Sequence, residues 1–342
     1  QPPAIKDELS KMARWLVRTR RPDGTWPGLN DSAPHMIPVA QDAIRRAIRM
    51  NLLEQSFGSE PETRIELPDT GWTILREGGS ELLFETGPIG PRDNPGHGHA
   101  DALSYELFWG GTPVVTDSGV STYEDDETRW FERSGAAHAC VTVDGQGSDE
   151  VWKSFRVGKR GKAQLLDEIA VDKRVRLLRG KLKAATFTQE RALLMWPGRA
   201  VVVFDRLSGM RKQKRAKEIL DHVPLDPGWN AAEAGGVVFL LGPGGRSLQL
   251  HVVRGRVVDL IRGSETGPRQ GWLAQGFGKL APRTTVRIAP DEYDVVTYAF
   301  LAPSLSARAT DSQLIVRAPG AELQIALAGG MPTGPKLAAD TK

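Results

Sequence analysis

Three of the chain's six histidines fall between Pro95 and His138, in a stretch that also carries Asp101 and Asp117. His97-Gly98-His99 sets two imidazoles two residues apart. On an extended segment, side chains at that spacing point to one face, and the glycine between them crowds neither. Asp117 adds a carboxylate. His138 adds a third imidazole, just ahead of Val141-Thr142-Val143. Imidazole nitrogen and carboxylate oxygen suit Zn2+ in a four-coordinate site, and the same donors also suit several other divalent ions. A histidine-rich loop at a sheet edge is the other reading of these residues.

The elements that would position them are short. Leu103–Trp109 and Thr112–Thr116 are joined by Gly110-Gly111, which predicts a tight β-hairpin because its two central residues need positive φ. The histidine pair leads, extended, into the first strand, and Asp117 ends the second at the same open end. A two-residue turn sets Asp117 opposite Ser104, not His99, so the chain must curl back to close a site.

This segment resembles the core motif of the heparinase II/III-like polysaccharide lyases. The matching residues are His97-Gly98-His99-Ala100-Asp101, Ser104, Gly110, Asp117, Gly119, Tyr123, Arg129, Ser134, Ala136-Ala137-His138 and Val141-Thr142-Val143-Asp144-Gly145. Ala139-Cys140 stands where the family often has Asn-Thr. The resemblance implies that His99, Asp117 and His138 are Zn2+ ligands, with water a candidate for the fourth position, and that His97 faces the polysaccharide. Tyr123 and Arg129 flank these residues as candidate substrate contacts, since an arginine can hold a carboxylate bidentately; a solvated loop charge is the plainer reading of Arg129 and of Arg133.

The remaining sequence sets the frame. At 342 residues the chain can bury a substantial core, and a hydrophobic share of 40% is ordinary for a soluble globular protein. A net charge of +3 without a long basic run gives no sign of nucleic acid, yet allows a locally positive cleft for an acidic polymer. No apolar stretch reaches the roughly 18–20 residues of a membrane span. Cys140 is the sole cysteine, which excludes an internal disulfide and reads as a small buried hydrophobe. The start at Gln1, with neither methionine nor signal sequence, suggests a leader or more removed, and the expected location is periplasmic or secreted.

Along the chain, Ile5, Leu9, Met12, Ala13 and Leu16 recur at helical spacing, as do Val39, Ala43, Ile44, Ala47, Ile48 and Leu52. A turn-rich loop containing Pro22-Asp23-Gly24 and Asn30-Asp31 separates them. The pair resembles the last helical hairpin of the family's α/α toroid, most of which is missing from this sequence. From Arg64 the texture is β. Runs at Gly71–Leu75, Glu81–Thr86, Val141–Val143, Lys181–Phe187, Ala200–Phe204, Val237–Leu241, Ser247–Val253, Thr284–Ile288, Val295–Phe300 and Leu314–Arg317 alternate with turns. The expected fold is mainly β: a large antiparallel β-sandwich over 63–328, preceded by a helical segment over 1–62 and followed by a tail over 329–342.

His222 reads as a core histidine, His251 as a sheet-surface residue and His35 as a loop residue at the border of a cleft. The resemblance implies β-elimination on a uronic-acid polymer, in which a base takes the proton next to the sugar carboxylate and an acid protonates the leaving oxygen. Histidine suits such work because it titrates near neutrality. In the family, tyrosine, histidine and asparagine on the toroid supply most of these groups, with a sandwich histidine opposite them. His97 is the one carried over here, and the metal is expected to be mainly structural, pinning the loop that bears it. The partners expected are an acidic polysaccharide and either a toroid domain or further copies of the chain. Two other classes remain: a non-catalytic zinc-stiffened sandwich that binds polysaccharide or scaffolds, and a cupin-like metalloenzyme, against which Glu106 comes seven residues after His99, too late for the cupin spacing.

Overall fold

Alternation along one central strand explains the layering. In Ala200–Ser208, Val201 and Val203 face one apolar core while Val202 and Phe204 face another. A strand buried on both faces shows no polar alternation, so this one reads as the unbroken run Val201-Val202-Val203-Phe204. It lies within an eight-stranded antiparallel sheet. One face of that sheet packs on a five-stranded and a four-stranded sheet through Leu82, Tyr105, Val141 and Val223. The other face is covered by a C-terminal four-stranded sheet through Leu314, Leu323 and Ile325. This is the expected mainly β sandwich. The computed structural model describes residues 3–33, 36–59, 62–171, 174–210, 218–266, 269–291 and 294–339, so His35 lies outside the described residues.

The five-stranded sheet carries the site. It runs β1 (Arg64–Leu67), β2 (Trp72–Glu77), β3 (Ser80–Glu85), β4 (Tyr105–Trp109) and β5 (Thr112–Val115), in sequence order. The β4–β5 turn is the expected one, with Gly110 at φ 56° and Gly111 at φ 78°. Helices α1 (Pro3–Thr19) and α2 (Ile37–Arg49) share a small core of Ala13, Ala47 and Leu53. The loop between them packs Leu29 on Ile65, Trp72 and Ile74, and Trp15 of α1 meets Trp72 at 5.5 Å between rings. Arg76 of β2 fixes the end of α1 by donating to the carbonyls of Arg18 and Arg20, each at 2.9 Å, which satisfies acceptors the helix leaves open. Ile5 and Met12, expected on the apolar face of α1, are exposed.

Other boundaries move for visible reasons. The expected strand Lys181–Phe187 straddles a turn: one strand ends at Lys183 and the next begins at Thr188, with Ala184 donating to the Phe187 carbonyl at 3.0 Å. After Gly329, Met331–Ala339 forms a strand paired with Ala321–Ala328, in place of a tail. Lys162–Ala170, whose polar positions hide it in the sequence, forms the edge of the eight-stranded sheet.

Candidate metal centre

His97 sits in a turn and His99 just past it, so the pair does not form an extended lead into β4. The Gly98 amide donates to the Pro95 carbonyl at 2.9 Å, and β4 begins only at Tyr105. Gly98 passes so close to the preceding loop that a Cβ there would meet the Ile89 carbonyl oxygen at 1.7 Å, so only glycine fits. The two imidazoles still converge, because both reach the same carboxylate.

That carboxylate is Asp31, from the loop between α1 and α2, a residue to which sequence reasoning assigned no role. Its Oδ2 lies 2.7 Å from His97 Nδ1 and its Oδ1 lies 2.9 Å from His99 Nε2. Arg129 grips the same two oxygens, Nη1 to Oδ1 at 2.5 Å and Nη2 to Oδ2 at 3.0 Å. The neighbouring Asn30 accepts from the His99 amide at 3.0 Å. Burial pushes the Asp31 carboxyl up, but hydrogen bonds from His99 and Arg129 outweigh it and hold the group well below the usual range. An ionised carboxylate only accepts, so each imidazole carries its proton on the nitrogen facing Asp31. The signal in the sequence was Asn30-Asp31 after Pro22-Asp23-Gly24, a motif with no visible partner.

On the other side of His99, the donor atoms of His99, Asp117 and His138 lie within 4.8 Å of one another, and all three residues are buried. Asp117 follows β5 and is held by its surroundings: its amide donates to Glu106 at 3.0 Å, and its Oδ1 accepts from the Gly119 amide at 3.0 Å. His138 Nδ1 lies 2.5 Å from Asp117 Oδ2. His99 Nδ1 and His138 Nε2 are buried with no hydrogen-bond partner. Such nitrogens are rare in a folded protein, and a cation would satisfy both. Burial pushes His99 down to about 4, leaving the neutral imidazole a metal requires. Burial also opposes charge on His138, yet the Asp117 charge and hydrogen bond raise its pKa, so the pocket favours positive charge at this point. The donor set fits a divalent metal.

Two buried arginines pin the backbone that carries these ligands. Arg283 donates through Nη1 to the Thr116 carbonyl at 2.6 Å, and through Nη2 to Ser118 Oγ and to the Ala137 carbonyl, the last at 2.9 Å. It thus grips the residues immediately before Asp117 and His138. Arg191 ties the carbonyls of Leu103 and Ala139 together while pairing with Asp205 and Asp221. Beneath the centre, a cavity of about 500 Å³ between the helical hairpin and the sandwich is lined by Trp15, Trp26 and Trp72 and reaches Asp31 and Asp117.

The family model described as Heparinase II/III-like, C-terminal, matches residues 60–318. The chain belongs to this heparinase II/III-like family. Its fold is similar to that of the heparan sulfate lyase HepC from Pedobacter heparinus, with TM-score 0.67 at 16% identity, over 94% of this chain and 51% of that one. It is also similar to heparinase III, with TM-score 0.71 at 16% identity, over 96% of this chain and 55% of that one. The chain therefore spans about half the length of these relatives. No curated protein matches the sequence.

Within the heparinase II/III-like sandwich, other expectations resolve. Separate stacked sheets and the family match displace the cupin-like reading. Arg129 and Arg133 are not solvated loop charges. They lie on a short helix, α3 (Glu127–Arg133), capped by Asp126, and both are buried. Arg129 spends its guanidinium on Asp31 and the Ser154 carbonyl, so no fork remains for a sugar carboxylate. Tyr123 is half-exposed, 5.8 Å from the His97 ring. His222 is a core histidine between Thr142 and Gln270, and Cys140 is a buried thiol, as read from the sequence. His251 is half-buried on its strand beside Gln249.

Proposed function

We propose that the chain is the sandwich part of a polysaccharide lyase that cleaves a uronic-acid-containing polysaccharide by β-elimination. His97 is its acid–base group, Tyr123 contacts substrate, and Zn2+ is held by His99, Asp117 and His138. The observation that carries this reading is the contrast between two histidines on one carboxylate. His99 is wholly buried, whereas the His97 side chain is 60% exposed. With its proton held on Nδ1 by Asp31, His97 turns an Nε2 lone pair to the solvent side, where it can take the proton next to a uronate carboxylate. As that C–H bond breaks, a C=C bond forms, the glycosidic C–O bond breaks, and the leaving oxygen takes a proton from an acid elsewhere in the complete protein. Arg129 does not touch the sugar; it holds Asp31, and through it His97. When bound, the metal would tie the turn bearing His99 to the segments bearing Asp117 and His138. An extracellular acidic polymer fits a periplasmic or secreted protein. The exposed Ile5, Met12 and Val39 on α1 and α2 suit packing against further toroid helices.

The test is His97→Ala in the full-length protein, with product followed by the absorbance of the unsaturated uronate end. Turnover should fall by about 10²–10⁴-fold, the range for a positioned acid–base group, with metal content and melting temperature unchanged. Near-wild-type turnover across candidate polyuronates would refute the role. A wild-type protein that binds but never cleaves them would favour the non-catalytic, zinc-stabilised binding or scaffolding sandwich.

A further inference from the structure

Three loops, separate in sequence, each bring one aromatic ring to the surface beside His97. Tyr123 follows β5, Phe155 sits at the tip of the hairpin formed by Val151–Trp152 and Arg156–Val157, and Phe277 lies between Gly276 and Gly278 at the tip of another. Their rings form a continuous cluster: His97 to Tyr123 at 5.8 Å, His97 to Phe155 at 5.7 Å, Tyr123 to Phe155 at 5.4 Å and Tyr123 to Phe277 at 5.0 Å. They remain 37%, 44% and 43% exposed for Tyr123, Phe155 and Phe277. Sealing loops together would be a sufficient reason to cluster rings, but it would hide them.

The support under the rings is rigid. The buried Arg129 guanidinium lies 5.1 Å from the Tyr123 ring centre and 5.5 Å from that of Phe155. Arg129 and Arg133 donate to the carbonyls of Ser154, Lys153 and Arg156, which fixes the Phe155 hairpin. The Gly278 amide donates to the Ser121 carbonyl at 2.8 Å, which fixes the Phe277 tip to the Tyr123 loop. Lys153 and Arg156 flank Phe155, and Lys279 follows Phe277 by two residues. All three are exposed and form no ion pair among the described residues.

The geometry points to a sugar-stacking subsite: Phe155 and Phe277, continuous with Tyr123, hold the pyranose rings of an acidic polysaccharide adjacent to the ring presented to His97. A pyranose has an apolar face of C–H bonds whose partial positive charge suits the negative face of an aromatic ring. A half-exposed apolar patch rimmed by cations matches a chain that alternates such faces with carboxylate or sulfate groups. Rings held in place before binding lose little entropy when the ligand arrives. The inference rests on the lyase reading for its choice of ligand, and its test separates the two.

Affinities of the full-length protein for heparan sulfate, chondroitin and alginate hexasaccharides are measured by calorimetry for wild type, Phe155→Ala, Phe277→Ala and Phe277→Leu. Each alanine variant should bind the preferred hexasaccharide about 3- to 10-fold more weakly, with melting temperature and metal content kept. Phe277→Leu keeps an apolar contact between loops but no π-face, so it should bind as weakly as Phe277→Ala, while Phe277→Trp should restore affinity. Unchanged affinity in the alanine variants alongside weakened turnover in His97→Ala would overturn the subsite and leave the lyase reading standing. Wild-type protein that binds none of the three oligosaccharides would overturn both. Full affinity in Phe277→Leu with a lowered melting temperature in Phe277→Ala would show that the rings only seal the loops.

Discussion

Asp31 accepts from Nε2 of His99 at 2.9 Å, across 68 residues of sequence. A carboxylate on one imidazole nitrogen fixes the tautomer and aims the opposite lone pair, here Nδ1, into the buried pocket shared with Asp117 and His138. Asp31→Asn should therefore weaken metal binding by about 10- to 100-fold, the usual cost of losing such a partner. Zinc competition against a chromophoric chelator measures it. His99→Ala should abolish stoichiometric metal altogether and lower the melting temperature, because metal bound to the native state adds to folding stability. Equal metal content in wild type and His99→Ala would remove His99 from the ligand set.

Arg283 gives a prediction about positioning. It hydrogen-bonds to the residues before Asp117 and before His138 and to Ser118, while its charge also acts on the Asp117 and His138 side chains. Losing that nearby cation would by itself favour a metal, so a fall in affinity reports on position. Arg283→Met would leave buried carbonyls without donors, and should cost about 2–4 kcal/mol of stability in urea unfolding. Among molecules that remain folded by near-UV circular dichroism, zinc affinity should also fall. Arg283→Lys keeps a donor and should recover part of the stability with less of the affinity, because one ammonium cannot reproduce the fork. Metal affinity unchanged in both variants would mean that the ligand loops are set without Arg283.

Acid sensitivity should have an identifiable source in the core. Gln270 Nε2 donates to His222 Nδ1 at 3.2 Å, and His222 Nε2 faces Thr142 Oγ1 at 3.0 Å. Burial pushes His222 down to about 3 from its ordinary 6.5. Between those values the unfolded chain binds a proton that the folded chain refuses, so stability falls as the pH drops through the window and is recovered as it rises. His222→Gln removes the group, and its urea midpoint should change less than that of wild type between about pH 6.5 and 4. Parallel midpoint curves for the two proteins would assign the acid sensitivity to other groups.

What could be read from the sequence followed the range of each interaction. The β4–β5 turn was legible because Gly110-Gly111 carries its own backbone requirement, met by two positive φ angles. His99, Asp117 and His138 were legible as a set because they recur in an ordered motif within one segment. Asp31 was not, since its partners His97, His99 and Arg129 all lie far along the chain. For the same reason Arg129 and Arg133 read as solvated loop charges, although a distant carboxylate and several backbone carbonyls bury them. Met331–Ala339 has Thr333 as its one β-branched residue beside Pro332, Gly334 and Pro335, and it gains its conformation from pairing with Ala321–Ala328.

The two-sided burial of Ala200–Ser208 bears on how the protein is made. Synthesis runs from the N-terminus, and the face formed by Leu194, Val202 and Phe204 is covered by Leu314, Leu323 and Ile325. While the residues between Phe204 and Leu314 are still being added at about 5–20 per second, that face has nothing to lie against. The nascent chain must therefore carry an oily surface through much of its birth, so its yield should depend on chaperones and on the speed of translation through the final strands.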